Sequence, residues 1–216
     1  MNEGDPRYIV VEGPIGVGKT TLAKRLAETF GSDLLLEGAE ENPFLKRFYR
    51  DPRSAALPTQ LFFLFQRARQ MQELRQADLF QPVRVSDFLM EKDRLFAELT
   101  LDEDELALYE QAYAHLTPEA PAPDLVIYLQ APVEVLVERI RGRGRPEERG
   151  LDPAYLERLV EGYTRFFYDY GQAPLLIVNA AGIDFANSED DYQLLLEQIR
   201  TVRRGRHYFN PQPVTL

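Results

Sequence analysis

Residues 13–20 read Gly13-Pro14-Ile15-Gly16-Val17-Gly18-Lys19-Thr20 and fit the pattern G-x-x-x-x-G-K-[ST] at every position. A short β-branched run, Tyr8-Ile9-Val10-Val11, leads into it. Thr20 to Phe30 follows with helical spacing, and Gly31 is placed to stop the helix. A strand, a glycine loop and a helix in that order turn several backbone N–H groups toward one point, with the positive end of the helix dipole behind them. That arrangement takes a phosphate chain. The lysine of such a loop reaches the β- and γ-phosphates of ATP, and the Ser/Thr after it ligates Mg²⁺. Gly13 to Thr20, with Thr21 beside them, are therefore expected to hold ATP, with Lys19 taking part in catalysis and Thr20 in the metal shell. A surface glycine turn would need neither flank.

Further apolar runs, each ending in a polar residue, alternate with helical patterns down the chain. Leu34-Leu35-Leu36, Pro82 to Ser86, Leu125 to Leu129 and Leu175 to Val178 read as strands. Pro58 to Gln76, Val133 to Arg141, Pro153 to Tyr170 and Glu189 to Arg203 read as helices. Short continuous apolar strands separated by helices predict an α/β fold, a doubly wound parallel sheet of five strands in one domain over residues 1–216. Ligands of such sheets bind beyond the carboxyl ends of the strands, which selects the phosphate loop, Glu37, Asp87 and Gln130. A net charge of −10 argues against a nucleic-acid polymer as partner. The chain has no cysteine for disulfides or thiolate metal sites, and no apolar run long enough to span a membrane. The expected location is the cytoplasm.

A phosphate loop does not name the acceptor. A neutral hydroxyl needs a nearby carboxylate to take its proton, whereas a phosphate acceptor needs arginine to hold it. Glu37 ends the second strand, and no arginine lies beside it in residues 34–42, which favours a hydroxyl. Residues 139–150 concentrate five arginines and three glycines between two helices. A loop of that composition can close over phosphates and shut out water.

The segments Ile9 to Ala23, Glu37 to Leu45, the helix around Gln60 and Arg67, Val85-Ser86-Asp87-Phe88, Arg139 to Gly150 and Val178 to Phe185 together resemble the deoxyribonucleoside kinases, in their bacterial form. The resemblance implies the P-loop kinase fold and transfer of the ATP γ-phosphoryl group to the 5′-hydroxyl of a deoxyribonucleoside, purine by preference, in nucleotide salvage. It implies Glu37 as the base, Gln60 reading the nucleobase through paired hydrogen bonds, and Arg67 helping to set base preference. Tyr49 and Glu148 match contacts to the sugar 3′-hydroxyl, and Asp93 a base-contacting acid. Arg139, Arg143 and Arg145 match phosphate-holding lid residues. Asp184 and Phe185 match the loop that packs on adenine, and Asp87 pairs with Thr20 in the Mg²⁺ shell and borders the substrate. The family is mostly dimeric, which implies a homodimer or a heterodimer with a paralogue. One departure stands out: the animal enzymes carry an acid followed by Arg-Ser where this chain reads Ser86-Asp87-Phe88. Lys92 and Arg94 are the candidates to supply the missing cation. The alternatives are a nucleoside monophosphate kinase of the thymidylate kinase type and a non-catalytic nucleotide-binding subunit of a mixed dimer.

Overall fold

The structure is a computed structural model and describes residues 6–76, 84–116 and 121–211. Its centre is β1 (Tyr8–Glu12), whose five residues are all buried. Burial on both faces accounts for the unbroken apolar run, since a strand with one solvated face would alternate with polar residues. β1 lies parallel between β3 (Arg84–Ser86) and β4 (Leu125–Gln130). β2 (Asp33–Leu35), β5 (Leu175–Asn179) and β6 (Arg206–Phe209) complete an all-parallel sheet in the order β2-β3-β1-β4-β5-β6.

Alternate strand residues feed two cores. Ile9, Val11, Ile127, Leu129 and Leu176 pack with Leu22 and Leu26 of α1 (Lys19–Phe30), Leu136 of α6 (Val133–Arg143) and Leu195 of α8 (Glu189–Thr201). On the other face Val10, Val126, Tyr128 and Ile177 pack with Leu159, Tyr163 and Phe167 of α7 (Pro153–Asp169), and with Leu95 of α4 (Lys92–Thr100). A third cluster joins α3 (Pro52–Gln76), α4 and α5 (Glu103–Leu116) around Leu64, Met71 and Tyr109. α2 (Leu45–Arg50) carries Tyr49 toward the carboxyl edge of the sheet.

Three expectations need correction. Among the described residues the sheet has six strands rather than five. β6 is a short edge strand with three of its four residues exposed, so Arg206-His207-Tyr208-Phe209 carries no buried-strand pattern. The third helix begins at Pro52, six residues before the expected start at Pro58, and Pro58 lies inside it. Proline there forfeits one helical hydrogen bond at a cost of about 3 kcal/mol in an isolated helix. Burial of Ala55, Ala56 and Thr59 around it offsets that cost. β2 starts and ends one residue earlier than expected. Pro82 and Val83, assigned to the third strand, lie outside the described residues.

Candidate active site

The phosphate loop opens at Gly13, where φ is +149° and a β-carbon would run into the Leu129 carbonyl of β4. Only glycine lets β1 turn so close to its neighbour. Lys19, the first residue of α1, folds back over the loop and donates to the Gly13 carbonyl at 2.7 Å and the Pro14 carbonyl at 3.4 Å. Burial lowers its pKa, and the nearby Lys92 lowers it further. Thr20 donates its hydroxyl to Asp87 Oδ2 at 2.5 Å. The other oxygen of Asp87 accepts the Glu37 N–H at 2.8 Å. A single carboxylate at the end of β3 thus joins the phosphate loop to the chain leaving β2. Burial raises the Asp87 carboxyl above the ordinary range.

Glu37 is buried among cations. Burial alone would raise it; the fields of Lys92, Arg67 and Lys19, in that order, outweigh burial and hold the carboxyl well below the usual carboxylate range. It is ionised throughout the neutral range. Both direct cations, Arg67 from α3 and Lys92 from α4 at 2.9 Å, lie on Oε1. No hydrogen bond among the described residues reaches Oε2. No basic residue neighbours Glu37 in the chain, but two helices bring cations to it in space.

These groups line one pocket of about 490 Å³. Lys19, Thr20 and Asp87 stand at its phosphate end, with Arg143 and Arg145 on the lid side. Gln60, Tyr49 and Arg67 line the remainder. Gln60 is buried and donates to the Thr100 hydroxyl at 3.2 Å. Burial, and then Tyr155 and Glu148, push the Tyr49 phenol far above its usual range, so it stays a neutral hydroxyl. Glu148, from the 3₁₀ turn Pro146–Gly150, takes Arg143 in a two-point bond of 2.7 and 2.6 Å. Asp93 sits behind the pocket, ion-paired with Arg67 and buried.

Other expected site residues are turned to different tasks. Arg139 donates to the Val17 carbonyl at 3.1 Å and the Ala180 carbonyl at 2.7 Å. Its guanidinium ties the phosphate loop to the segment after β5 instead of projecting into the pocket with Arg143 and Arg145. Phe185 is buried in the core, its ring against Gly18, where a β-carbon would come within 3.0 Å of it. Asp184 spends its carboxylate on Asn187, accepting the backbone N–H at 3.1 Å. Both side chains shape the loop after β5, the loop whose backbone is expected to meet adenine. Thr21 is exposed on the first turn of α1. Of the two candidates for the missing cation, Lys92 reaches the site, whereas Arg94 pairs with Glu110 at the surface.

One buried acid escaped the sequence reading. Glu12, the last residue of β1, is fully buried and accepts from the Gly13 N–H at 2.9 Å, the Leu89 N–H at 2.7 Å and the Tyr163 hydroxyl at 2.8 Å, with Lys92 Nζ at 3.4 Å. Its signal was there: a glutamate closing an otherwise apolar strand next to the phosphate loop. Among the described residues no three His, Cys, Asp or Glu side chains group as a metal site. The Thr20–Asp87 pair does offer the hydroxyl and carboxylate oxygens that Mg²⁺ prefers, leaving its other positions to phosphate and water.

A parallel sheet whose phosphate loop faces a carboxylate across one pocket defines a P-loop phosphotransferase. The family model for deoxynucleoside kinase matches residues 9–203. The chain is 34% identical over 201 residues to the deoxyguanosine kinase of Bacillus subtilis (strain 168), covering 89% of this chain and 96% of the relative. It is 30% identical over 202 residues to the deoxyadenosine/deoxycytidine kinase of the same organism, covering 90% and 92%. The solved structure of the deoxyadenosine kinase from M. mycoides with bound dATP superimposes with a TM-score of 0.77 at 24% identity, over 90% of this chain and all of that one, and shows the same fold. The chain belongs to the deoxynucleoside kinase family and is an enzyme of that class. No helix among the described residues is long and apolar enough to cross a membrane.

Proposed function

We propose that this enzyme transfers the γ-phosphoryl group of ATP to the 5′-hydroxyl of a purine deoxyribonucleoside, for nucleotide salvage in the cytoplasm. The observation that carries the reading is the ionised Glu37, facing the pocket of the phosphate loop with Oε2 unclaimed. The 5′-hydroxyl gives its proton to Glu37 as its oxygen bonds to the γ-phosphorus, and the bond from that phosphorus to the β-bridging oxygen breaks. Lys19, Arg143 and Arg145 hold the charge on the transferred group. Mg²⁺ held by Thr20 and Asp87 would neutralise phosphate charge. A sugar hydroxyl displacing Arg143 from Glu148 would free that guanidinium for phosphate, so that nucleoside binding and lid closure go together. Gln60 and Arg67 read the base, with Asp93 fixing Arg67. The names of the relatives support a purine. The same reading gives a homodimer, or a heterodimer with a paralogue, which light scattering checks.

A nucleoside monophosphate kinase is disfavoured on a new ground. Arg67 and Lys92 do bring cations to Glu37, but three carboxylates, Glu12, Glu37 and Asp93, surround them. Those two cations are therefore already neutralised and offer no spare positive charge to an acceptor phosphate. The test is ATP consumption with each of the four deoxyribonucleosides and, in parallel, with their monophosphates. Turnover on deoxyguanosine or deoxyadenosine is expected. Turnover confined to a monophosphate overturns the acceptor, and silence on all eight favours a subunit that needs a partner.

A further inference from the structure

Lys92 is 1% exposed, yet it lies between two carboxylates, 2.9 Å from Glu37 Oε1 and 3.4 Å from Glu12 Oε1. Its ammonium also stands 5.4 Å from the centre of the Phe96 ring. Removing an ammonium from water is costly, and an apolar replacement for a buried ion pair is often neutral or stabilising. Stability alone therefore gives no reason to bury a lysine here. Its surroundings give another. Glu12 is held by two backbone N–H groups and the Tyr163 hydroxyl, so its carboxylate is fixed. One of those N–H groups belongs to Gly13, which opens the phosphate loop. A chain of short contacts thus runs from the start of that loop through Glu12 and Lys92 to Glu37.

We propose that Lys92 is the positioning residue of the acceptor carboxylate: anchored by Glu12, it fixes Oε1 of Glu37 and leaves Oε2 for the acceptor hydroxyl. Arg67 meets the same oxygen but divides its charge with Asp93. Lys92 therefore registers Glu37 against the phosphate loop, and Arg67 registers it against the base end of the pocket. This rests on the role proposed for Glu37 above.

The test is steady-state kinetics, with a purine deoxyribonucleoside and ATP, of Lys92→Met, Lys92→Arg, Glu37→Gln and the double variant Glu37→Gln/Lys92→Met. A carboxylate displaced by about an ångström loses roughly 10²-fold in rate, so Lys92→Met is expected to lower kcat by about 10- to 100-fold. The KM for ATP stays within about twofold, because no ground-state contact to ATP is removed. Lys92→Arg keeps the charge and recovers part of the loss. In the Glu37→Gln background, Lys92→Met changes kcat by less than about threefold, since residues that act through one another are not additive. An equal loss in both backgrounds, an unchanged kcat, or a loss carried by the KM for ATP overturns the positioning role. Wild-type turnover by Glu37→Gln overturns the base assignment and the proposal with it; a slow Glu37→Gln with an additive Lys92→Met overturns the proposal alone. Should Lys92→Met lose its cooperative melt, Glu12→Gln/Lys92→Met removes both buried charges together. That variant is expected to show the same kcat loss with its fold kept, and wild-type kcat in it overturns the proposal.

Discussion

Glu37 combines two properties that pull against each other. Its charge is secured by three nearby cations, and the same cations make it a reluctant proton acceptor. A base held this low accepts the proton late, once the acceptor oxygen has begun to bond to phosphorus and become acidic. Glu37→Gln keeps the size and removes the acceptor, and is expected to lower kcat by about 10²–10⁴-fold with ATP binding intact. A stopped assay with saturating ATP and nucleoside checks it, and an unchanged rate would remove Glu37 from the proton transfer. Gln60→Ala is expected to raise the nucleoside KM and leave the ATP KM unchanged; a loss confined to ATP would refute the placement of the base end. Glu91 offers a test of pH dependence outside the site. Burial, with Glu12 contributing, raises its carboxyl in the folded chain. The folded form then keeps its proton to higher pH than the unfolded form, so ionising Glu91 costs stability as pH rises past its unfolded value near 4.3. Glu91→Gln should melt higher than the parent at pH 7.5 and lose that advantage at pH 4; equal melting points at pH 7.5 would refute the burial argument.

Secondary structure was legible where a segment was both periodic and buried. β1, β4 and β5 announce themselves as apolar runs because both faces of each are covered, and α7 begins where Asp152 caps Ala154 and proline follows. β6 was not legible, since an exposed edge strand needs no apolar residues. Residues next to the loop or at strand ends could be brought to one pocket from order alone, as with Lys19, Thr20, Glu37 and Asp87. The contacts of Lys92 and Arg67 with Glu37 emerge only once α4 and α3 are packed, because nothing in local sequence says which helical face meets Glu37. The lid shows the limit most clearly. Its arginines look alike in sequence, but Arg143 pairs with Glu148 while Arg139 is spent on two backbone carbonyls. Arg139→Ala is accordingly expected to cost about 1.5–3 kcal/mol, the worth of hydrogen bonds from a charged donor. In a chain of this size that lowers Tm by roughly 3–12 °C. Thermal melting without nucleotide checks this. An unchanged Tm with a raised ATP KM would return Arg139 to the phosphates.

At the scale of the whole molecule, the sheet order places the first strand made at the centre. β1 pairs with β3 and β4 and with nothing nearer in sequence, and its link to β4 joins Ile9 to Leu125, a separation of 116 residues. Such distant pairings are slow to form, because a long loop must close before any contact rewards it. During synthesis at about 5–20 residues per second, Ile9 is therefore made roughly 6 to 23 s before its partner on β4 exists. β3 arrives earlier, since Ile9 meets Val85, so through the remainder of that interval a fully buried strand of the finished enzyme has one edge covered and the other open on a growing chain. The position that makes β1 the support of the phosphate loop in the finished protein also makes it, among the paired strands described, the one that waits longest for its second neighbour while the protein is being made.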